Sequence, residues 1–198
     1  MTITEQYLAS AIPTPCRLLG ARLRPYCVGH AMLLHRFESP FVAGDSDGSA
    51  AQARDLVFAA LICAHTFEEA IQGLTTRRFH RLARRGRLQC FLRLRTPEQL
   101  RRKIELFREY LAQGSRWPSI LAPRDAGSQP GAPWLQRLKL ALMIHLGKTE
   151  SEALNTPLGA AQWDYAAFWE GKAAWQITSD RDLEMFRTAR GLEAAEAL

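Results

Sequence analysis

Lysine is almost missing from this 198-residue chain: of its 26 basic residues only Lys103, Lys139, Lys148 and Lys172 are lysine. The rest are arginine, and the 26 basic residues against 20 acidic ones leave a formal charge of +6. Arginine grips phosphate, but a GC-rich genome also writes arginine for lysine, so net charge alone does not name a partner. Long hydrophobic runs are missing too. No apolar stretch reaches the ~18 residues a membrane-spanning helix needs. The start of the chain, MTITEQYLASAIPTPC, has no basic segment leading into an apolar one, so no signal peptide is expected. From these absences a cytoplasmic protein, away from the membrane, is expected.

Cysteine is sparse. Cys16, Cys27, Cys63 and Cys90 contain no C-x-x-C pair, and free thiols are expected. Cys63 sits in the apolar run LVFAALICA and reads as a small core residue. Catalytic signatures are also absent: there is no G-x-S-x-G, no glycine-rich phosphate loop and no H-E-x-x-H. Glu68 and Glu69 are adjacent and point to different sides of a helix, which is wrong for an acid/base pair. His30 and His35 are five apart, not the four that chelates zinc, and Cys27 with His30 supplies only two ligands. No catalytic residue, metal site or cofactor is expected, and the chain reads as a non-enzyme.

What is present is helical periodicity with helix-start signals. Tyr26 to Glu38 is a candidate helix bracketed by Pro25 and Pro40. Residues 39–49, with two glycines, two aspartates and three serines, read as a loop. Ala50 to His65 is apolar almost all round at its C-terminal half and is predicted to be the most buried helix. Thr66 with Glu69, and Thr149 with Glu152, are capping boxes. Thr96-Pro97-Glu98-Gln99 opens a helix carrying Leu100, Ile104, Phe107 and Leu111 to about Gly114. Residues 114–132, with Pro118, Pro123, Pro130, Gly127 and Gly131, read as a long loop. Trp134 to Leu146 follows, with Leu135, Leu138, Leu142 and Leu146. Thr156-Pro157 is a capped start, with Leu158, Ala161, Tyr165, Phe168 and Trp169 sharing one face beyond it. Asp180 opens a short last helix with Leu183 and Phe186. The sum is an all-α fold: one irregular multi-helix bundle over 1–198, with 15–113 and 133–198 as candidate sub-modules joined by the 114–132 loop.

One stretch resists the helical reading. Between Ala70 and Pro97 there is no acid and there are eight arginines. Leu88, Cys90, Leu92 and Leu94 alternate as a strand would, while Phe79, Leu82, Gly86, Cys90 and Leu94 make a helical stripe. Length favours helix. Drawn as one, it puts Arg77, Arg81, Arg84 and Arg85 on a face that would neutralise phosphates by releasing counterions. The same face would serve as a solvated surface or a dock for an acidic partner. Weakly specific nucleic-acid binding through residues 77–95 is therefore the alternative reading of function. No aromatic side chains are interleaved with the arginines on that face for base stacking, and Phe79 and Phe91 read as core.

Trp163, Tyr165, Phe168, Trp169 and Trp175 fall within 13 residues. Rings at helical spacing are normally core, but tryptophan and tyrosine are also enriched at protein interfaces. At 100° per residue Trp163 lies about 160° from Tyr165. One of the two rings is thus expected to be covered by a second layer or to face a partner.

Just upstream stands the most distinctive segment, LGKTESEALNTPLG at Leu146 to Gly159. An acidic helix start, then T-P-L, then an aromatic helix resembles the small tail-assembly chaperones of tailed phages and prophages. LLGARLRPYCVGHAMLLHRFESPF and LVFAALICAHTFEEA are similar in style. The resemblance implies a helical protein that coats the long helical tape-measure protein before the tail tube polymerises around it. It implies binding without catalysis. The residues placed on the partner face are Trp134, Leu138, Leu142, Leu158, Trp163, Tyr165, Phe168 and Trp169. A groove lined by apolar side chains suits an amphipathic helix. This chain is longer than the smaller members and has a basic middle they lack.

Overall fold

A computed structural model describes residues 2–12, 14–42, 51–75, 96–121, 132–172, 176–182, 184, 185 and 188. The described chain is overwhelmingly helical: α1 (Ile3–Ala11), α2 (Val28–Arg36), α3 (Ala53–Cys63), α4 (Phe67–Thr75), α5 (Pro97–Gly114), α6 (Trp134–Leu146), α7 (Glu150–Asn155) and α8 (Leu158–Gly171). Two short antiparallel pairs join them, β1 (Arg17–Leu18) with β2 (Ala21–Arg22) and β3 (Ile120–Leu121) with β4 (Gln176–Ile177). The all-α class expected from the periodicity is the class observed.

The start signals work as the sequence suggested. Thr96 Oγ accepts the Gln99 amide at 3.3 Å, and Thr66 and Thr149 each exchange bonds with the glutamate three residues on. The same device opens α1, which the sequence reading missed. Thr2 and Glu5 form a reciprocal box there, and the T-x-x-E spacing was its signal. The β1–β2 hairpin was missed as well. Leu19 and Gly20 both adopt positive φ, 52° and 84°, the two-residue turn whose twist matches its strands.

Two expectations need correction. Residues 114–132 are not one continuous loop. Gly114 belongs to α5, Pro118 is fully buried, and Ile120–Leu121 pairs with Gln176–Ile177. Residues 122–131 lie outside the described residues. Thr156 does not cap α8 either. It ends α7, donating its hydroxyl to the Glu152 carbonyl at 2.7 Å and accepting from Lys148 Nζ at 3.2 Å.

The true start of α8 is tied to α2. The Leu158 amide donates to the Tyr26 carbonyl at 2.7 Å, and the Val28 amide donates to the Thr156 carbonyl at 3.1 Å. Each helix thereby satisfies an orphan first-turn amide of the other, across an antiparallel bridge between Cys27 and Pro157. Elements from both ends of the chain interlock around this join. α2 packs on α3, α6, α7 and α8, and α8 is held between α1 and α6. The core runs through them all, from Leu18, Val28 and Leu34 through Leu56, Ile62 and Phe107 to Leu138, Leu142 and Ala161.

Candidate partner-binding face and an open pocket

The motif at Leu146–Gly159 forms the corner between α6, α7 and α8. Gly147 ends α6 at φ 65°, a left-handed conformation that favours glycine, and the Lys148 amide closes back on the Leu142 carbonyl at 3.2 Å. The polar side chains of the motif are engaged internally. Glu150 pairs with Lys139 at 2.8 Å. Ser151 and Asn155 both donate to the Glu68 carboxylate, at 2.6 and 2.9 Å, which holds that carboxyl below its ordinary range. Asn155 Oδ1 accepts the Phe67 amide at 3.0 Å, so α7 clasps the start of α4. Lys148 reaches Asp164 at 3.6 Å. The motif is a fastener for four helices.

The side chains assigned to a partner face divide. Leu138, Leu142, Leu158, Trp163 and Tyr165 are buried, and Trp134, Phe168 and Trp169 are half-buried. The first five are core residues, so their placement on an open face is corrected. The geometry explains why both Trp163 and Tyr165 can be inside. α8 has layers on two sides: Tyr7 of α1 meets Trp163 edge-on at 5.8 Å, and Trp134 of α6 meets Tyr165 edge-on at 5.1 Å. Aromatic contacts continue along this seam. Trp117 packs on Trp134 at 4.8 Å, Tyr165 on Trp169 at 6.1 Å, and His145 stacks on Phe168 at 4.2 Å. Arg137 lies over the Trp134 ring at 5.3 Å.

Apolar surface is left exposed elsewhere on the same helices. On α6, Leu140, Ile144 and Leu146 face solvent, with Ile144 71% exposed. Tyr7 and Leu8 on α1, and Ile12 just past its end, do the same. Leu140 and Ile144 are four apart and share a stripe.

Cys27 and His30 have other work. His30 is buried in α2; its Nδ1 accepts the Cys27 amide at 3.4 Å and its Nε2 donates to the His65 carbonyl at 2.8 Å. Both ring nitrogens are occupied by backbone, and burial pushes its pKa down to about 4. Burial likewise raises the Cys27 thiol to about 11 and the Cys63 thiol well above its usual range, which makes both poor nucleophiles. Tyr110 donates its hydroxyl to the Arg24 carbonyl at 2.7 Å. Among the described residues no three potential metal ligands cluster, and no helix is long and apolar enough to cross a membrane.

An open pocket of about 870 Å³ lies between α2, α5, α6 and α8. Sequence reasoning gave no sign of it, because its lining residues come from four separated segments. Gln162 lines it from α8, a residue the aromatic pattern around it obscured. Arg77, Arg81, Arg84 and Arg85, with the whole of 76–95, lie outside the described residues, as does Trp175.

No protein-family model, curated protein or solved structure matches the chain.

Proposed function

We propose that this protein is a non-enzymatic, chaperone-like component of phage or prophage tail assembly that holds an amphipathic helix of the tape-measure protein. The sequence resemblance at Leu146–Gly159 suggests the class. The observation that carries the reading is the stripe of α6, where Leu140 and Ile144 stand in water one turn apart beside Leu146. Exposed aliphatic side chains at i, i+4 spacing on a helix held rigid by the α7 corner offer the anchor pattern that helix recognition uses. The contact face thus moves from the side chains buried in the seam to the outer side of α6.

The test is capture of a phage tape-measure protein. Ile144→Asp changes only an exposed side chain, so the melting temperature should be unchanged. Capture should weaken by ~2 kcal/mol or more, as for an interface hot spot. Capture by Ile144→Asp equal to that of the unmodified protein refutes the reading.

A further inference from the structure

The β1–β2 hairpin carries its charge on one face. Its pairing runs on past β2, where the Leu23 amide donates to the Cys16 carbonyl at 2.9 Å. Neighbours along a strand alternate between faces, so Arg17, Arg22 and Arg24 share the side opposite Leu18 and Leu23. The two leucines are buried and the three arginines are exposed. Arg17 stands directly across from Arg22, a like-charge pair that costs a hairpin stability. No described carboxylate offsets that cost, because none of the three arginines forms an ion pair with a described residue. Glu69 lies within the field of Arg24, but its carboxylate is engaged in the Thr66 cap, accepting that amide at 2.9 Å.

A hollow of about 440 Å³ opens beside this face, between the hairpin, α5 and the residue that ends α3. Arg22, Arg24 and Thr14 line it together with Pro15, Pro25 and Tyr110, and no aspartate or glutamate is among its described lining residues. The Tyr110 hydroxyl already donates to the Arg24 carbonyl at 2.7 Å. That leaves the Thr14 hydroxyl and two guanidinium groups as the side-chain donors of the hollow. A recess of ~300–1,000 Å³ with an apolar wall and a few polar groups is the usual build of a small-molecule site.

We propose that this hollow binds a small organic phosphate monoester. Two guanidinium groups without a paired carboxylate suit two negative charges on one group, and phosphate offers enough oxygens to engage both forks, where a single carboxylate fills one. The phosphate bridges Arg22 and Arg24, and Arg17 adds to the field from across the ribbon. The organic body lies on Pro15, Pro25 and Tyr110. The site shares no residue with the outer stripe of α6 and stands whether or not that stripe binds a helix.

The experiment titrates the full chain with phenyl phosphate at constant ionic strength and about pH 8, where the phosphate is a dianion, and follows amide proton–nitrogen spectra. Phenyl sulfate has the same shape and one charge. Phenyl phosphate should shift the hairpin amides, saturate in the millimolar range, and bind several-fold more tightly than phenyl sulfate or inorganic phosphate. Arg22→Ala and Arg24→Ala should both fold, since each side chain is exposed. Each should weaken binding several-fold and erase the preference for phosphate over sulfate. Arg36→Ala removes an equal charge from an exposed position on α2 and should leave binding unchanged. The proposal is overturned by the absence of saturation at tens of millimolar, by equal affinity for phosphate and sulfate, or by a loss in Arg36→Ala as large as that in Arg22→Ala, the mark of net charge alone. Equal affinity for phenyl phosphate and inorganic phosphate overturns the placing of the organic body in the hollow.

Discussion

Acid should weaken this fold well before its carboxylates titrate, and His30 is the reason. In the folded chain its ring is neutral, accepts from Cys27 and donates to the His65 carbonyl, with a pKa of about 4. In the unfolded chain an ordinary histidine titrates near ~6.5. Between those values the unfolded state binds a proton that the folded state refuses, so stability is complete above about pH 6.5 and falls as the pH drops. The linkage relation gives a loss of about 2 kcal/mol by pH 5 and about 3 kcal/mol by pH 4. The lowered carboxyls of Glu68, Glu69, Glu152 and Asp182 add their own losses toward the acid end of that range. A variant comparison cancels them. Glutamine at the third helical position can still accept the Cys27 amide, as in an ordinary capping box, but does not titrate. Urea midpoints for the unmodified protein and His30→Gln, measured from pH 7.5 to 4.5, should therefore converge as the pH falls. The unmodified protein should lose about 2 kcal/mol more than the variant between pH 7 and pH 5. Parallel curves would mean that the ring is protonated or solvated in the native state, and the buried-neutral account would be wrong.

Two substitutions check the packing. A methyl group added at Gly29 would sit 2.5–2.9 Å from three atoms of the Phe67 side chain, so Gly29→Ala should destabilise by ~1–2 kcal/mol in denaturant titration, overpacking outweighing the ~1 kcal/mol gained in helix propensity; a stabilised variant would show that α4 slides freely over α2. Trp163 is buried against Tyr7 with its indole N–H unpartnered, so Trp163→Phe should cost under ~1.5 kcal/mol because it also removes the orphan donor, while Trp163→Ala should cost ~3–5 kcal/mol. Thermal melts that rank the two variants the other way round would refute the assignment.

Local signals were legible and long-range ones were not. Thr66, Thr96 and Thr149 announce their helices because a capping bond spans only three residues. The start of α8 misled for the same reason. Thr156-Pro157 looks like a cap, but the bond that opens the helix comes from Tyr26, whose pairing no local pattern encodes. The aromatic run around Trp163 was read as having one face too many. That excess was real, and the second face is covered by α1, an element the reading had left out. The resemblance motif showed which side chains matter without showing what they do. Ser151, Asn155 and Lys148 act on Glu68, the Phe67 amide and Asp164, which lie 83, 88 and 16 positions away. The pocket and Gln162 were invisible because a void belongs to no single segment.

The reciprocal join between α2 and α8 sets an order on how the molecule is made. The amide of Val28 leaves the ribosome about 130 residues before the Thr156 carbonyl that completes it. At ~5–20 residues per second the N-terminal half waits on the order of ten seconds for its cap. During that time α2 shows to its surroundings the faces that α6, α7 and α8 will later cover. The join closes only when the last third of the chain arrives, so a chain halted before Leu158 leaves both backbone bonds of the join unmade.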